Sequence, residues 1–500
     1  MKRRVVAALL ATMMVVSMCA CGTGNSEKDQ GLEVASGIPE YADDKQLEMA
    51  AYCGPRGRGY RFWNGEYGTY AKDPEGGWEG WINQEWFQAY MDCGFTYLMP
   101  EYDAPYDTQK DFEKSDLYKY MELAESMNIP VLVYSGTLVN LTSSPDPRLT
   151  DDQKEMLKKM VDDLSQFKVF KGFSFRDEPS IDMAKSFASV KEYLDSLNPN
   201  LHYYTSLLPI YIKDASVLSK EHADNKEEAY LDYVDTFSNA IGNFAYDSYP
   251  LISDPVRGET MVDGTWFQNL RLVAENAKEK NYDAGITIQA CGFGPAGQEE
   301  IAWHKRRVDS KADITFQLYT ALAYGYKEIN YYTFWEHWMA SDTEEHYTGM
   351  VEYPEKNGEE PVKTPAYYAV QEANKEVKKF DHVILNFNWE GTMPLTAEGK
   401  TMSVGLQSAG DYESPRIDSA SATDEAIIGC MKDKDGYDGF MIVNATDPAQ
   451  KLKNKVTVKF KKASKALAYV NGEEQTITLE NGEYTFELEE GAGVFVIPIQ

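Results

Sequence analysis

Two adjacent carboxylates end a β-favouring run, "GFSFRDEPS", which extends from Gly172 to Ser180 and contains Asp177 and Glu178. Paired carboxylates can do acid–base and nucleophilic chemistry, because one with a raised pKa donates a proton while another attacks or activates water. The run also has a structural interpretation, in which Asp177 pairs with Arg176 or caps the next helix. The choice depends on whether the run ends at the working face of a fold.

Other polar and aromatic side chains also follow β-favouring runs. The carboxylates are Glu101 and Asp103 in "LMPEYD", Asp247 in "YDSYP" and Glu336 in "FWEHW". Candidate binding residues at such ends are Tyr134, Tyr249, Gln289, Tyr332, Trp335 and Trp338, and a long segment after the first run carries Trp63, Trp78 and Trp81. Aromatic rings beside carboxylates suit a carbohydrate, since they offer an apolar face and a polar edge. The structural alternatives are a turn at Asp247, an ion pair of Glu336 with "WHKRR", and plain packing of the aromatic rings.

Eight β-favouring runs alternate with helical patterns between residues 47 and 384, which favours a (β/α)8 barrel. The runs begin at Glu48, Phe95, Ile129, Phe170, Leu201, Asn243, Ala284 and Glu328. Thr150 and Gln153 predict a capping box, and Ser180 is expected to cap the helix after the fourth run. In such a barrel the functional groups lie at the carboxyl ends of the strands, so the candidate residues would share one face.

The last part of the chain, residues 385–500, has the pattern of an all-β sandwich domain. Short alternating segments are separated by Asp435-Gly436, Asn471-Gly472 and Asn481-Gly482, the dipeptides of tight hairpin turns. The fold class expected for the whole chain is therefore α/β, with a barrel followed by a sandwich.

The N-terminus reads as a lipoprotein signal, with Lys2, Arg3 and Arg4 before an apolar stretch too short to span a membrane. The run "SMCACG" resembles a bacterial lipobox, which implies cleavage after residue 20 and a lipid on Cys21; an ordinary secretory signal is the alternative. Residues 21–46 are polar and read as a flexible tether. The expected location is the outer face of the cytoplasmic membrane.

Charge and composition restrict the partners. A formal net charge of −31 repels nucleic acid, whereas 34 tyrosines and 9 tryptophans suit a neutral carbohydrate. The four cysteines beyond Cys21, which are Cys53, Cys93, Cys291 and Cys430, have no paired spacing and are expected to be buried free thiols. The six histidines form no HxxxH or HxH pair, and no nucleotide-binding motif occurs, so neither a metal nor a cofactor is expected.

Several of these runs resemble the clan A glycoside hydrolases, most nearly the β-galactosidase-like barrels of family 42. They are "GFSFRDEPS", "LNPNLHYYTSLLP", "FAYDSYPL" and "FQLYTALAYGYKEINYYTFW", and "GFMIVNAT", "YVNGEEQ" and "LEEGAGVFVIP" are similar to the small β domain that follows such barrels. The resemblance covers about residues 48–500. It implies that Glu178, at the end of the fourth strand, is the acid/base residue, with Asp177 where the clan has Asn. The clan's nucleophile ends the seventh strand, where "ITIQACGFG" has no carboxylate.

The leading hypothesis is a lipid-anchored glycosidase for a neutral oligo- or polysaccharide, with Glu178 as general acid and Asp177 tuning it by like charge. Asp247 or Glu336 would be nucleophile or base. The second hypothesis is a non-catalytic glycan-binding lipoprotein on a degenerate barrel. A solute-binding lipoprotein is disfavoured by the eightfold pattern and the C-terminal β domain.

Overall fold

The computed structural model describes residues 35–55, 81–100, 104–254, 258–295, 305–308, 310–339, 345–352 and 360–500. The predicted signal peptide, most of the predicted tether, Cys21, Glu101, Asp103, Trp63 and Trp78 lie outside these residues. In the described ranges, no helix is both long and apolar enough to cross a membrane.

Within the described ranges, sixteen strands precede residue 364. They are β1 (Glu48–Ala51), β2 (Val131–Tyr134), β3 (Phe170–Ser174), β4 (His202–Tyr204), β5 (Ser206–Leu207), β6 (Ala245–Tyr246), β7 (Leu251–Asp254), β8 (Glu259–Val262), β9 (Gly285–Gln289), β10 (Phe293–Pro295), β11 (Lys305–Arg306), β12 (Glu328–Tyr332), β13 (His337–Met339), β14 (Glu345–Tyr347), β15 (Val351–Glu352) and β16 (Val362–Lys363).

Parallel pairings join the predicted runs into a closed circuit, called here the strand ring. The segment 95–99 follows β1 through the bond from Thr96 N to Met49 O and reaches β2 through the bridge between Leu98 and Val131. From β2 the circuit continues to β3, which pairs with β4. Further along the chain, β5 pairs with β6, β9 pairs with β12, and β12 pairs with β1. Asp247 bridges to Thr287 and so joins the β6 end to β9. All carboxyl ends therefore lie at one end of the ring.

Helices follow the ring strands and pack on them through one apolar side. They are α1 (Gln84–Asp92), α2 (Asp116–Met127), α3 (Gly136–Thr142), α4 (Asp151–Leu164), α5 (Ala184–Leu197), α6 (Lys226–Ile241), α7 (Trp266–Lys280), α8 (Lys311–Ala323) and α9 (Pro365–Val377). The capping box of Thr150 and Gln153 at α4 is confirmed, and α4 buries Leu157, Met160, Val161 and Leu164. The prediction for Ser180 is wrong, because a 3₁₀ turn over Ile181–Met183 precedes α5 and the Ser180 side chain makes no cap bond.

A second sheet gathers segments that follow three ring strands. Its order is β13, β14, β10, β11, β7 and β8, and its pairings are antiparallel. Because β7 follows β6, β10 follows β9 and β13 follows β12, this sheet stands beyond the carboxyl end of the ring.

The C-terminal region is rich in sheet. Two short helices, α10 (Asp381–Ile384) and α11 (Val404–Gln407), accompany strands β17 (Phe387–Leu395), β18 (Ile417–Ala422), β19 (Ala426–Asp433), β20 (Asp438–Asn444), β21 (Asn454–Phe460), β22 (Lys465–Val470), β23 (Glu473–Thr478), β24 (Glu483–Leu488) and β25 (Gly493–Ile499). One antiparallel sheet has the order β17, β19, β20, β25, β22 and β23, and the other has the order β18, β21 and β24. Residues from both sheets share a hydrophobic cluster that includes Ile428, Phe440, Val458 and Phe486. The expected mixture of helices and strands with a sheet-rich C-terminus is confirmed.

Helix α8 connects the ring to the C-terminal sheets. It is covered on all sides, because every residue from Asp313 to Ala323, including the polar ones, is buried. Two glycines allow the close approach, since a Cβ on Gly429 would lie 1.9 Å from Ala323 O and one on Gly493 would lie 2.7 Å from the Tyr319 ring. Residues 34–500 accordingly form one compact unit.

The described end of the predicted tether contacts this unit. Tyr41 donates its hydroxyl to Asp433 Oδ2 over 2.9 Å, and Tyr437 donates to Ser36 O over 3.0 Å. Residues 35–46 are thus held against the C-terminal region rather than free of it. The prediction of buried free thiols is confirmed for Cys53, Cys93, Cys291 and Cys430.

Candidate active site

The segment after β3 is fixed by the next strands along the ring. Phe175 N donates to Tyr204 O over 2.8 Å, Glu178 N donates to Ser206 O over 2.9 Å, and the Thr205 hydroxyl donates to Arg176 O over 2.6 Å. Glu178 adopts a φ of 45°, a left-handed conformation that is uncommon for a residue with a side chain. Backbone strain of this kind occurs preferentially at functional sites.

Asp177 and Glu178 are exposed to solvent, yet protein surrounds both carboxyl groups closely. This combination is typical of a concave surface. Desolvation and then the charge of Glu178 raise the pKa of Asp177 to about 7, against a hydrogen bond from Tyr52 and the charge of Arg176. Desolvation also raises the pKa of Glu178, and Arg176 opposes that rise. The two carboxyl groups repel each other when both are charged, so the pair retains a proton toward neutral pH.

Asp177 was expected to tune Glu178 by like charge, and the charge of Glu178 in turn raises the pKa of Asp177. The neighbouring carboxylates therefore act as a coupled pair.

Asp247 lies on the same face as the pair. Its backbone N donates to Leu207 O over 3.2 Å, and its side chain is 6% exposed. Tyr233 of α6 lies near both Asp247 and Glu178: burial raises the pKa of Tyr233 first, and the charges of Asp247 and Glu178 raise it further. The Tyr233 hydroxyl donates to Pro179 O over 2.6 Å and accepts from Leu208 N over 3.3 Å.

A group of tyrosines lies beside these carboxylates. Tyr332 packs against three of them, with ring centroids 6.0 Å from Tyr52, 5.6 Å from Tyr249 and 5.7 Å from Tyr347. Tyr52 also meets the edge of Tyr204 at 5.7 Å and donates its hydroxyl to Asp177 Oδ1 over 3.5 Å. Tyr249 and Tyr332, both predicted as binding residues, are half-buried and lie together. The tyrosine group, Tyr52, Tyr204, Tyr249, Tyr332 and Tyr347, thus borders the carboxylate pair.

Two candidate binding residues belong to the core instead. Gln289 is fully buried, and its side-chain amide donates to Leu251 O and Arg307 O and accepts from Leu251 N. Trp335 is also fully buried, stacked on Trp81 and edge-on to Trp86, each with centroids 5.2 Å apart. The binding roles of both residues stay predictions, and in this structure their polar and aromatic surfaces contact protein.

The remaining candidates have mixed outcomes. Tyr134 is half-buried at the end of β2, in register with Ser174 of β3. Glu336 is 6% exposed, and its backbone N donates to Val351 O. The expected alternative partner Arg307 instead binds Asp313 and Asp447. Trp338 lies in β13, but its side chain is outside the described residues.

Three residues of the site escaped the sequence reasoning. Tyr52 lies near the end of the first predicted run. The expectation that functional groups lie at the carboxyl ends of strands, the strand-end rule, would therefore have identified Tyr52 if it had been applied to tyrosines. Arg176 was considered only as an ion-pair partner. Tyr233 lies in a helix, where no local pattern distinguishes it from a core tyrosine.

The chain was compared with known proteins. No protein-family model and no curated protein matches it. Solved structures similar to it include an Anoxybacillus α-amylase, at 11% identity over 92% of this chain and 99% of that one, with a TM-score of 0.46. A family 27 β-L-arabinopyranosidase from Geobacillus stearothermophilus matches at 7% identity over 92% and 98%, with a TM-score of 0.47. AbfB, a family 51 α-L-arabinofuranosidase from Bifidobacterium longum, matches at 9% identity over 90% and 97%, with a TM-score of 0.43.

These structural neighbours are glycoside hydrolases. At TM-scores below 0.5 the similarity carries no argument about what this chain does, so its chemistry must be inferred from its own residues.

Proposed function

We propose that this protein is a glycoside hydrolase with Glu178 as its general acid. The supporting observation is the coupled pair of Asp177 and Glu178, exposed on a concave surface and retaining a proton toward neutral pH. Cleavage of a glycosidic bond needs such a proton, delivered to the leaving oxygen as the bond to the sugar breaks. In this proposal the proton that the coupled pair retains is delivered from Glu178, and the hydrogen bond from Tyr52 partly offsets the rise in the pKa of Asp177.

Asp247 is the preferred second carboxylate in this proposal. The charges of Asp247 and Glu178 both raise the pKa of Tyr233, which lies near each of the two carboxylates. Asp247 would act as nucleophile or as the base that activates water; the separation of the two carboxyl groups decides between these roles.

The proposed substrate is a neutral oligo- or polysaccharide. Tyr249 and Tyr332, the half-buried members of the tyrosine group, offer apolar faces and hydroxyl edges to sugar rings, and a net charge of −31 disfavours polyanions. The proposed architecture is a (β/α)8 barrel over residues 47–384 with a β-sandwich domain over residues 385–500, supported by the closed circuit of parallel pairings. A lipid on Cys21, after removal of residues 1–20, would hold the protein at the outer face of the membrane.

The proposal is tested with purified protein and a panel of aryl and natural glycosides. Glu178→Gln is expected to lower kcat/KM about 10²- to 10⁴-fold, the usual contribution of a positioned general acid. Glu155→Gln is the matched control, because Glu155 is an exposed residue on α4. Equal activity of Glu178→Gln and wild type would refute the assignment.

A second candidate is a non-catalytic glycan-binding protein. The observation that favours it is the residue at the end of β9, which is Gln289 and not a carboxylate. The side-chain amide of Gln289 forms hydrogen bonds with backbone groups. This candidate predicts no turnover across the panel and glycan binding that is lost in Tyr332→Ala. Turnover by the wild type excludes it.

A further inference from the structure

A second cluster of ionisable groups lies at the opposite end of the strand ring. Glu48, His202 and Glu328 begin β1, β4 and β12. One ligand atom from each lies within 4.8 Å of the others, a grouping found within the described part of the chain. No sequence motif indicates this cluster, because the three residues are far apart in the chain.

The spacing of the donor atoms suits a metal ion. His202 Nε2 lies 3.8 Å from a Glu328 carboxylate oxygen, Oε1. Two ligands each about 2.1 Å from Zn²⁺ are roughly 3.0–3.5 Å apart in octahedral or tetrahedral geometry, so only a small closure is needed. In the described chain, the buried His202 Nε2 makes no hydrogen bond. An imidazole nitrogen in this situation is available as a ligand.

Neighbouring side chains orient one of the carboxylates. Tyr97 donates its hydroxyl to Glu328 Oε1 over 2.6 Å, and Asn330 Nδ2 donates to the same oxygen over 3.1 Å. Hydrogen bonds of this kind to a ligand fix its orientation and contribute to metal affinity.

Lys171 is the competitor for the position. Its ammonium nitrogen lies 2.8 Å from Glu48 Oε1 and 5.0 Å from the centre of the Tyr97 ring. It therefore supplies the positive charge that a metal would otherwise bring, and metal binding requires it to move away from Glu48.

The cluster is open to solvent. Glu48, His202 and Glu328 line a cavity of about 390 Å³, together with Lys45, Gln46, Asn243, Asp283, Lys327 and Leu385. An ion can enter there and keep water in its remaining coordination positions.

We propose that Glu48, His202 and Glu328 form a binding site for a divalent metal ion of the zinc class. A single imidazole with two carboxylates favours Zn²⁺ over the all-oxygen sites that Ca²⁺ and Mg²⁺ require. The ion ties β1, β4 and β12 together across the amino-terminal end of the ring. That end of a parallel ring serves stability, so the bound ion raises the unfolding temperature and takes no part in the chemistry at the other end. The proposal does not rest on the proposed function.

The test measures Zn²⁺ binding to the full chain after removal of metals with EDTA, by calorimetry and by thermal unfolding. One equivalent should bind and raise the Tm of the wild type. His202→Ala and Glu48→Gln should each weaken that binding at least about tenfold. His222→Ala is the matched control, because His222 pairs with Glu228 on the exposed surface and should leave binding unchanged.

Lys171→Met distinguishes a metal site from an ion-pair cluster, since removal of the competing ammonium should tighten Zn²⁺ binding. The Glu48 side chain is half-exposed, so Glu48→Gln is expected to fold. It therefore tests the proposal even if His202→Ala does not fold. The proposal is overturned if the wild type binds no equivalent of Zn²⁺, or if Glu48→Gln binds it as tightly as the wild type. Weaker binding by folded Lys171→Met also overturns it.

Discussion

The hydroxyl of Tyr52 donates to Asp177 Oδ1 over 3.5 Å and so links the carboxyl end of β1 to the segment after β3. This contact stabilises the ionised form of Asp177, which desolvation and the charge of Glu178 oppose. The proton shared by Asp177 and Glu178 therefore depends on a residue from another strand.

Tyr52→Phe is expected to move the basic limb of the pH profile of kcat/KM to higher pH. Loss of the hydroxyl removes an interaction that lowers the pKa of Asp177, so that the coupled pair keeps its proton longer. Tyr193→Phe is the control, because that hydroxyl donates to Lys154 O on the helical side of the ring. An unchanged limb in Tyr52→Phe would show that Asp177 does not share the catalytic proton.

Asp177→Asn should change how the free energy of unfolding depends on pH. The folded-state pKa of Asp177 is about 7, against an ordinary value of 3.8, so the folded protein binds a proton that the unfolded chain has released. The stabilisation from this group is complete below pH 3.8 and is lost as the pH rises through about 7. Relative to Asp177→Asn, the wild type should lose stability between pH 4 and 7, as measured by urea unfolding. Parallel curves for the two proteins would contradict the raised pKa.

Gln289→Ala is expected to destabilise the fold by about 2–4 kcal/mol. The side-chain amide satisfies backbone groups of Leu251 and Arg307, and each buried group left without a partner costs about 1–3 kcal/mol. Gln88→Ala, an exposed change at a bond to Asp92, should cost about 0.5 kcal/mol or less. Urea unfolding distinguishes this structural role from the predicted binding role, in which Gln289→Ala would leave stability intact and weaken substrate binding.

The order of elements was accessible from the sequence because it depends on local patterns. The eight β-favouring runs and the capping box at Thr150 are local, and so are the hairpin glycines, of which Gly472 and Gly482 have φ of 76° and 83°. The strand-end rule then selected Asp177, Glu178, Asp247, Tyr249 and Tyr332, which the fold brings to one end of the ring. Strand ends share an edge whatever the details of packing.

What the sequence left open depends on contacts between distant segments. Trp335 lies at a strand end like the other candidate residues, but Trp81 and Trp86 cover it. Gln289 is polar and strand-terminal, yet its side chain forms hydrogen bonds with the backbone of Leu251 and Arg307. Glu48, His202 and Glu328 lie at the beginnings of their strands, whereas functional residues were expected at the carboxyl ends. A local sequence pattern does not show which polar group forms its hydrogen bonds with a residue that is distant in the chain.

Arg307→Gln is expected to destabilise the protein by about 3–5 kcal/mol. Arg307 is buried and bonds to both Asp313 of α8 and Asp447 of the C-terminal region, so the change leaves two buried carboxylates without their cation. Arg148→Gln is the matched control: Arg148 and Asp146 form an ion pair at 2.7 Å on the exposed surface, where water and salt screen the attraction and the pair contributes little to stability. Because Arg307 connects the ring to the C-terminal sheets, its loss should also make the two parts unfold less cooperatively. Calorimetry would then show a broadened or divided transition in Arg307→Gln and a single one in Arg148→Gln; equal stabilities for the two variants would contradict the role given to Arg307.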